Sequence, residues 1–174
     1  MLGLDRKSIE LVQHQTEWKS IFESEANLLR EAVGDYIIAI EHIGSTSIAG
    51  LEAKPIIDIL VGVRKLEDAE KYIAPLAQIG YEYRGEAGIA GRFYFRKGTC
   101  EVSTHHLNIV EMMSNFWHSH LLFRDYLRQH ADAAQSYGTL KRELASKHEG
   151  NRPAYTKAKA DFIESVLEKA VTCS

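Results

Sequence analysis

Residues 42–63 read HIGSTSIAGLEAKPIIDILVGV, and the folding of this stretch decides the rest. An apolar run ends at Gly44, a Gly-Ser-Thr-Ser turn follows, and a second apolar run, PIIDILVGV, carries a lone aspartate, Asp58. The second run is nearly continuous and rich in β-branched residues, the pattern of a central strand covered on both faces. Pro55 suits its first position, where no ladder donor is needed. The preceding YIIAIEHI is a strand cut off by Gly44. Backbone N–H groups in such a turn form an anion nest. The hydroxyls of Ser45, Thr46 and Ser47 add donors, and Gly44 lets the backbone approach a ligand closely. The spacing of a Walker A loop is absent. A carboxylate inside a strand must meet water, a cation or a hydrogen-bond partner. Two readings of Asp58 stand. Either it holds a Mg2+ shared with a phosphate in the nest, or it pairs with a neighbouring Lys or Arg and the turn is a polar loop.

On the N-terminal side, SIELVQ at 8–13 reads as a short first strand. Thr16 offers an N-cap for a helix over 16–33, whose Trp18, Ile21, Phe22, Leu29 and Val33 recur at helical spacing, and Gly34 ends it. On the C-terminal side, 65–80 reads as a helix, shortened or kinked by Pro75 and closed by Gly80. YEYRG, RFYFRKG and EVSTHHLNIVE are strands, the last two joined by a KGTC hairpin turn. From Ser114 onward the pattern is helical. The first helix covers 114–130, and Asp132 with Gln135 marks the capping box of the second. The third carries Pro153 in its first turn and Tyr155, Ala158, Phe162, Val166 and Ala170 on one stripe. The order is α+β rather than doubly wound, with a core over 1–112 and a helical subdomain over 113–174 packed on it.

The chain of 174 residues is 45% hydrophobic and 26% charged, with a formal net charge of −3, so no bulk positive field favours nucleic acid. The start, MLGLDRKSIE, has no apolar signal region, and no long uncharged apolar run follows, so a cytoplasmic location without a membrane partner is expected. Cys100 and Cys173 are far apart and form no CxxC, which predicts reduced thiols.

HIGSTSIAGLEAKPIIDILV, THHLNIVE, FRDYLR, Y-x2-LK-x2-LA and Y-x3-K-x2-FI together resemble the GrpB family. That family belongs by fold to the nucleotidyltransferase superfamily and is also found fused to dephospho-CoA kinase. The resemblance runs from about residue 8 to 170. It implies a nucleotidyltransferase-like mixed sheet with flanking helices, a Gly-Ser turn that holds phosphates, and carboxylates on the following strand that hold two metals for attack on an α-phosphate. The sequence departs from that pattern. Leu60 stands where a second carboxylate would follow Asp58, or Ile56 where one would precede it. The family's later His-Leu-His is His106-Leu107-Asn108, and Asn108 is a poor transition-metal ligand. Either way the two-metal set is one ligand short, while nucleotide or phosphate binding is unaffected.

Other candidates each have a plainer counterpart. His105, His106, His118 and His120 suggest a metal cluster, but His118 and His120 sit two apart on a helix and do not face each other; the plainer role is surface or capping. Arg92, Tyr94 and Arg96 alternate onto one strand face, where Arg92 either grips phosphate oxygens or lies on a solvated sheet face. Lys54 either neutralises phosphate or pairs with Glu52. Lys141 and Lys159 belong to a solvated face, or turn inward over the sheet and close an anionic pocket. Trp18, Phe116, Trp117, Phe123 and Phe162 read as core rather than a base-stacking platform.

The expected function is a Mg2+-dependent nucleotide transferase or a degenerate nucleotide-binding relative. Gly44, Ser45, Thr46, Ser47, Lys54, Arg92 and Lys141 would hold phosphates, Asp58 the Mg2+, and His106 would stand near the reacting group. The alternative is a non-catalytic or regulatory module for a small phosphorylated ligand. A second carboxylate beside Asp58, from Glu41, Glu101 or Glu111, would favour catalysis.

Overall fold

The computed structural model describes residues 2–5, 8–66 and 70–172. One six-stranded mixed sheet organises them. Its strands are β1 (Leu4–Asp5), β2 (Ile37–Ile43), β3 (Ile57–Val63), β4 (Tyr81–Tyr83), β5 (Arg92–Gly98) and β6 (Val102–Glu111). The order is β2-β3-β6-β5-β4, with β1 on the N-terminal end of β6. Only the β3–β6 pair is parallel among the described strands.

Helices α1 (Glu17–Val33) and α2 (Glu70–Gln78) cover one face. Period-2 alternation sends Ile57, Ile59, Val61 and Val63 of β3, Leu107 and Ile109 of β6, and Phe95 of β5 into a core with Trp18, Leu29, Tyr72 and Leu76. Beside it the Lys97 ammonium donates to the buried Glu25 carboxylate at 2.8 Å. The opposite face carries Asp58, Leu60 and Gly62 of β3 and His106, Asn108 and Val110 of β6. It receives α3 (Asn115–Gln129), α4 (Ala131–Lys147), α5 (Arg152–Ala158) and α6 (Ala160–Thr172). Trp117 packs with Ile43, Leu60 and Val110. It lies so close to Gly62 that a Cβ there would meet its ring at 2.9 Å. Ile48 and Leu51, just after the Gly-Ser turn, pack with Leu127, Tyr137 and Val166 and so fasten the helices to the turn. No described helix is long and apolar enough to cross a membrane.

Local details differ from the sequence-based expectations. Residues 8–13 form no strand; the first strand is Leu4–Asp5, and Val12 makes a lone bridge to Ala53. Glu10 interrupts the apolar residues Ile9, Leu11 and Val12, a run too short to sustain a ladder. Thr16 precedes α1 but makes no capping bond. Strand β3 begins at Ile57, two residues after Pro55. The helix expected over 65–80 is seen from Glu70, with 67–69 outside the described residues, and Pro75 sits inside it. Ser114 caps α3, accepting from the Trp117 amide at 3.3 Å. The Asp132–Gln135 capping box does not form, because α4 already starts at Ala131 behind α3 and Asp132 lies in its first turn. The third helix is two, broken at Lys159. Cys100 is a free, exposed thiol, and Cys173 lies outside the described residues.

Candidate functional site

The Gly-Ser turn closes β2 at the C-terminal helices' side of the sheet. Gly44 has φ +71°, and Ser45–Ser47 form one 3-10 turn. The glycine is required twice over: an L side chain is strained at that φ, and a Cβ would stand 2.5 Å from Asp58 Oδ2. Thr46 is buried and donates to the Ile56 carbonyl at 3.2 Å, so the His42 Nε2–H donates to its hydroxyl at 3.0 Å. Burial, against the attraction of Asp58, lowers the His42 pKa to about 4, so that ring is neutral at pH 7. Ser47 donates back to the Gly44 carbonyl at 2.6 Å, while Arg128 donates to the Ser47 carbonyl. Two of the three hydroxyls expected to meet phosphate thus hold the turn itself. Ser45 faces the cavity.

Asp58 is paired in register with His106 across the parallel β3–β6 ladder, and the two rise from the same face. The His106 Nδ1–H donates to Asp58 Oδ1 at 3.0 Å. Burial pushes the carboxyl's pKa up, but the hydrogen bond and charge of His106, with Lys54 and His42, outweigh it and hold the value below the ordinary one. Asp58 therefore has a protein partner, though a histidine rather than the expected Lys or Arg. Engaging Nδ1 turns the opposite nitrogen, Nε2, toward the cleft.

Above this pair lies a cavity of about 300 Å³, lined by Gly44, Ser45, Lys54, Asp58, His106, Lys141, Arg152, Tyr155 and Lys159, among others. Asp58 is its single acidic lining residue among those described. Lys141 reaches in from α4, only 2% exposed. Its ammonium donates to Ser45 Oγ at 3.0 Å and to the Glu52 carbonyl, and lies 4.9 Å from the Tyr137 ring centre. Lys54 and Lys159 flank the Tyr155 ring at 5.0 and 4.5 Å. Burial, then the charge of Lys159, lowers the Lys141 pKa to about 7. Burial, then Arg152 and Lys159, does the same for Lys54. Burial also lowers Lys159, opposed by Asp58. The fold crowds cations that are only partly balanced, an arrangement relieved by an anion.

Glu52 pairs with Arg142 at 2.8 Å, so it is not the partner of Lys54. Arg92 is absent from this cavity. Its guanidinium donates to the carbonyls of Glu86 and Ala87 and to Asn108 Oδ1, and lies over the Tyr94 and Phe116 rings. It is a wall of a second chamber of about 490 Å³, which shares Gly44, Asp58, His106, Phe123 and Tyr137 with the first. Phe116 and Phe123, read as core, are half-buried and line this cleft.

The expected metal centre has no second carboxylate. Glu41 is held by Arg124 at 2.6 Å. Glu101 is exposed in the hairpin turn, and Glu111 accepts from the Leu66 amide at the far end of β6. No group of three His, Cys, Asp or Glu side chains fit for a metal occurs among the described residues. The histidines do not assemble either: His105 faces Glu25 on the other side of the sheet, His118 is exposed, and the His120 Nδ1–H donates to the Phe116 carbonyl at 2.8 Å. This donor set does not fit a two-metal centre. It fits at most one Mg2+ that arrives with its own phosphate ligands.

Sequence reasoning missed Arg152 and Tyr155 as site residues. The signal was present: 152, 155, 156 and 159 follow one helical face across the α5–α6 break. Tyr155 was absorbed into the apolar stripe because it is fully buried, yet its ring separates two lysines.

Comparison with known proteins agrees with this architecture. A crystal structure of the conserved protein GrpB from Enterococcus faecalis is similar with a TM-score of 0.85 at 39% identity, covering 94% of this chain and 98% of that one. The glutamate-rich protein GrpB of Alkalihalophilus pseudofirmus is 38% identical over 97% of this chain and 99% of its own length. The UPF0157 protein YqkA of Bacillus subtilis is 40% identical over 95% of this chain, and a dephospho-CoA kinase of Mycolicibacterium paratuberculosis is 25% identical over 95%. The chain spans about half the length of those last two, 48% and 46%. The GrpB protein family model matches residues 8–169, and the chain belongs to the GrpB family.

Proposed function

We propose that the cleft binds a nucleotide or another phosphorylated small molecule, with its phosphates in the cationic chamber. The observation that carries this reading is the ring of Lys54, Lys141, Lys159 and Arg152 around a cavity with one carboxylate. Two of these ammonium groups have pKa values of about 7, so an anion both gains their charge and restores their protonation. Ser45 adds a hydroxyl beside Lys141. Mg2+ enters this reading as a single ion shared between Asp58 and phosphate oxygens. The relative named dephospho-CoA kinase places CoA precursors among the ligands to try.

A second reading, group transfer at phosphorus, draws on the Asp58–His106 pair. A histidine whose Nδ1–H is held by a carboxylate presents Nε2 as a general base. Lysines around the phosphates would stabilise the charge that develops there.

The test is thermal unfolding with nucleoside di- and triphosphates, CoA precursors and inorganic pyrophosphate, each with and without Mg2+. At a hundredfold excess over the dissociation constant, a ligand adds about 2.7 kcal/mol of stability. If none of the panel shifts wild-type unfolding, phosphate binding is wrong. Turnover lost in His106→Ala with binding retained would select transfer over binding alone.

A further inference from the structure

We propose that the second chamber is a subsite for an apolar group carried by the same ligand, so that the site takes amphiphilic phosphoesters and selects their non-phosphate part by bulk. This rests on the phosphate reading above. The chamber opens directly from the cationic one through Gly44, Asp58 and His106, so one molecule with its phosphate against Lys141 extends into it. Its volume of about 490 Å³ is that of a small-molecule site. Ile43, Ile89, Phe116, Phe123, Ile163 and Leu167 supply aliphatic and aromatic walls from the sheet, the loop before β5, α3 and α6.

Three of the polar side chains there, Arg92, Asn108 and Ser119, are spent within the fold. Arg92 donates to two backbone carbonyls and to Asn108, and Asn108 in turn donates to the Ile59 carbonyl at 3.2 Å. Ser119 donates to the Phe116 carbonyl. A purine or pyrimidine would find stacking surface but few donors and acceptors to read its edge. Specificity by hydrogen bonding needs unpaired groups that the correct ligand satisfies. Here contact area does the work, and a prenyl chain serves as well as a base. The Arg92 guanidinium lies 4.8 Å from the Tyr94 ring centre and 5.6 Å from that of Phe116 and so braces those two walls.

Direct binding of inorganic pyrophosphate, geranyl diphosphate, ADP and UDP to the full chain tests this. Geranyl diphosphate should bind at least tenfold tighter than pyrophosphate, about 1.4 kcal/mol, and ADP and UDP should agree within about threefold, well under that margin. Leu167→Gln and, separately, Leu167→Trp, which narrows the chamber, should each remove most of the geranyl advantage. Pyrophosphate affinity should stay at the wild-type value in both, which also reports that the fold is intact. Equal affinity of geranyl diphosphate and pyrophosphate in wild type overturns the subsite while leaving the phosphate chamber standing. A tenfold preference between ADP and UDP overturns selection by bulk. No binding of any of the four removes the phosphate reading and this inference with it.

Discussion

Lys141→Met should stabilise the ligand-free protein at pH 7 and abolish its response to phosphate. Lys141 is 2% exposed, and its pKa falls from 10.5 to about 7 on folding. At pH 7 that depression corresponds to a charge penalty of about 4 kcal/mol. Against it stand the bonds to Ser45 and the Glu52 carbonyl, together worth about 2–3 kcal/mol. Methionine keeps most of the side-chain volume and relaxes the repulsion on Lys54 and Lys159. The net expectation is a gain of about 1–2 kcal/mol, a rise in Tm of roughly 2–8 °C for a domain of this size. The sign should invert with pH. Between about 7 and 10.5 the unfolded chain binds the proton that the folded chain has released, so wild-type stability rises with pH across that window. At pH 9.5 the penalty has shrunk to about 1 kcal/mol while the lost bonds cost the same, so the variant should be the less stable protein there. Urea unfolding of both proteins at pH 7 and 9.5, with and without pyrophosphate, measures all of this. A variant less stable at both pH values, beside a wild type whose stability does not rise with pH, would show Lys141 to be an ordinary paired ammonium and would refute the reasoning.

Three further substitutions bear on neighbouring features. Gly44→Ala places a methyl against Asp58 Oδ2 at a strained φ, so it should cost about 2–4 kcal/mol in chemical denaturation and abolish pyrophosphate binding; a near-neutral result would mean the turn is pliable. Asp58→Asn removes the carboxylate that balances Lys54 and Lys159 and holds His106. The apo protein should melt lower at pH 7, and wild-type stability from this group should persist above the ordinary aspartate value and be lost only as pH falls through the depressed folded one. An unchanged apo Tm would leave Asp58 as a ligand group without a structural charge role. Gly62→Ala drives a methyl into the Trp117 ring and should cost about 1–3 kcal/mol with a change in tryptophan fluorescence, while pyrophosphate still binds the folded fraction.

The central strands were legible because β3 is a nearly continuous apolar run and β6 a long strand rich in β-branched residues, while Gly44 closes β2 and Gly98 closes β5. The turn beside Asp58 was legible for the same reason. The roles inside it were not: which of Ser45, Thr46 and Ser47 points outward depends on the turn's own hydrogen bonds to Gly44, Ile56 and His42. Arg92 misled because its face was right but its donors go to the carbonyls of a loop five and six residues upstream. The break at Lys159 has no Gly or Pro to announce it, so α5 and α6 read as one helix, and the sequence left Lys159 either on a solvated face or turned inward. Lys141 and Lys159 turn inward only because Tyr137 and Tyr155 shield them, a tertiary arrangement with no local signature.

The parallel β3–β6 pairing sets an order of events in folding. The β5–β6 hairpin closes through three residues and β2–β3 through thirteen, whereas Asp58 and His106 meet across 48 residues and Lys141 and Ser45 across 96. Loops of that length pay their closure entropy before their contacts reward it. The hairpins should therefore populate the transition state first, and the phosphate chamber should close on the native side of the barrier. A ligand held there slows escape from the native state without speeding arrival. On a chevron plot, pyrophosphate should lower the unfolding limb and leave the folding limb where it is.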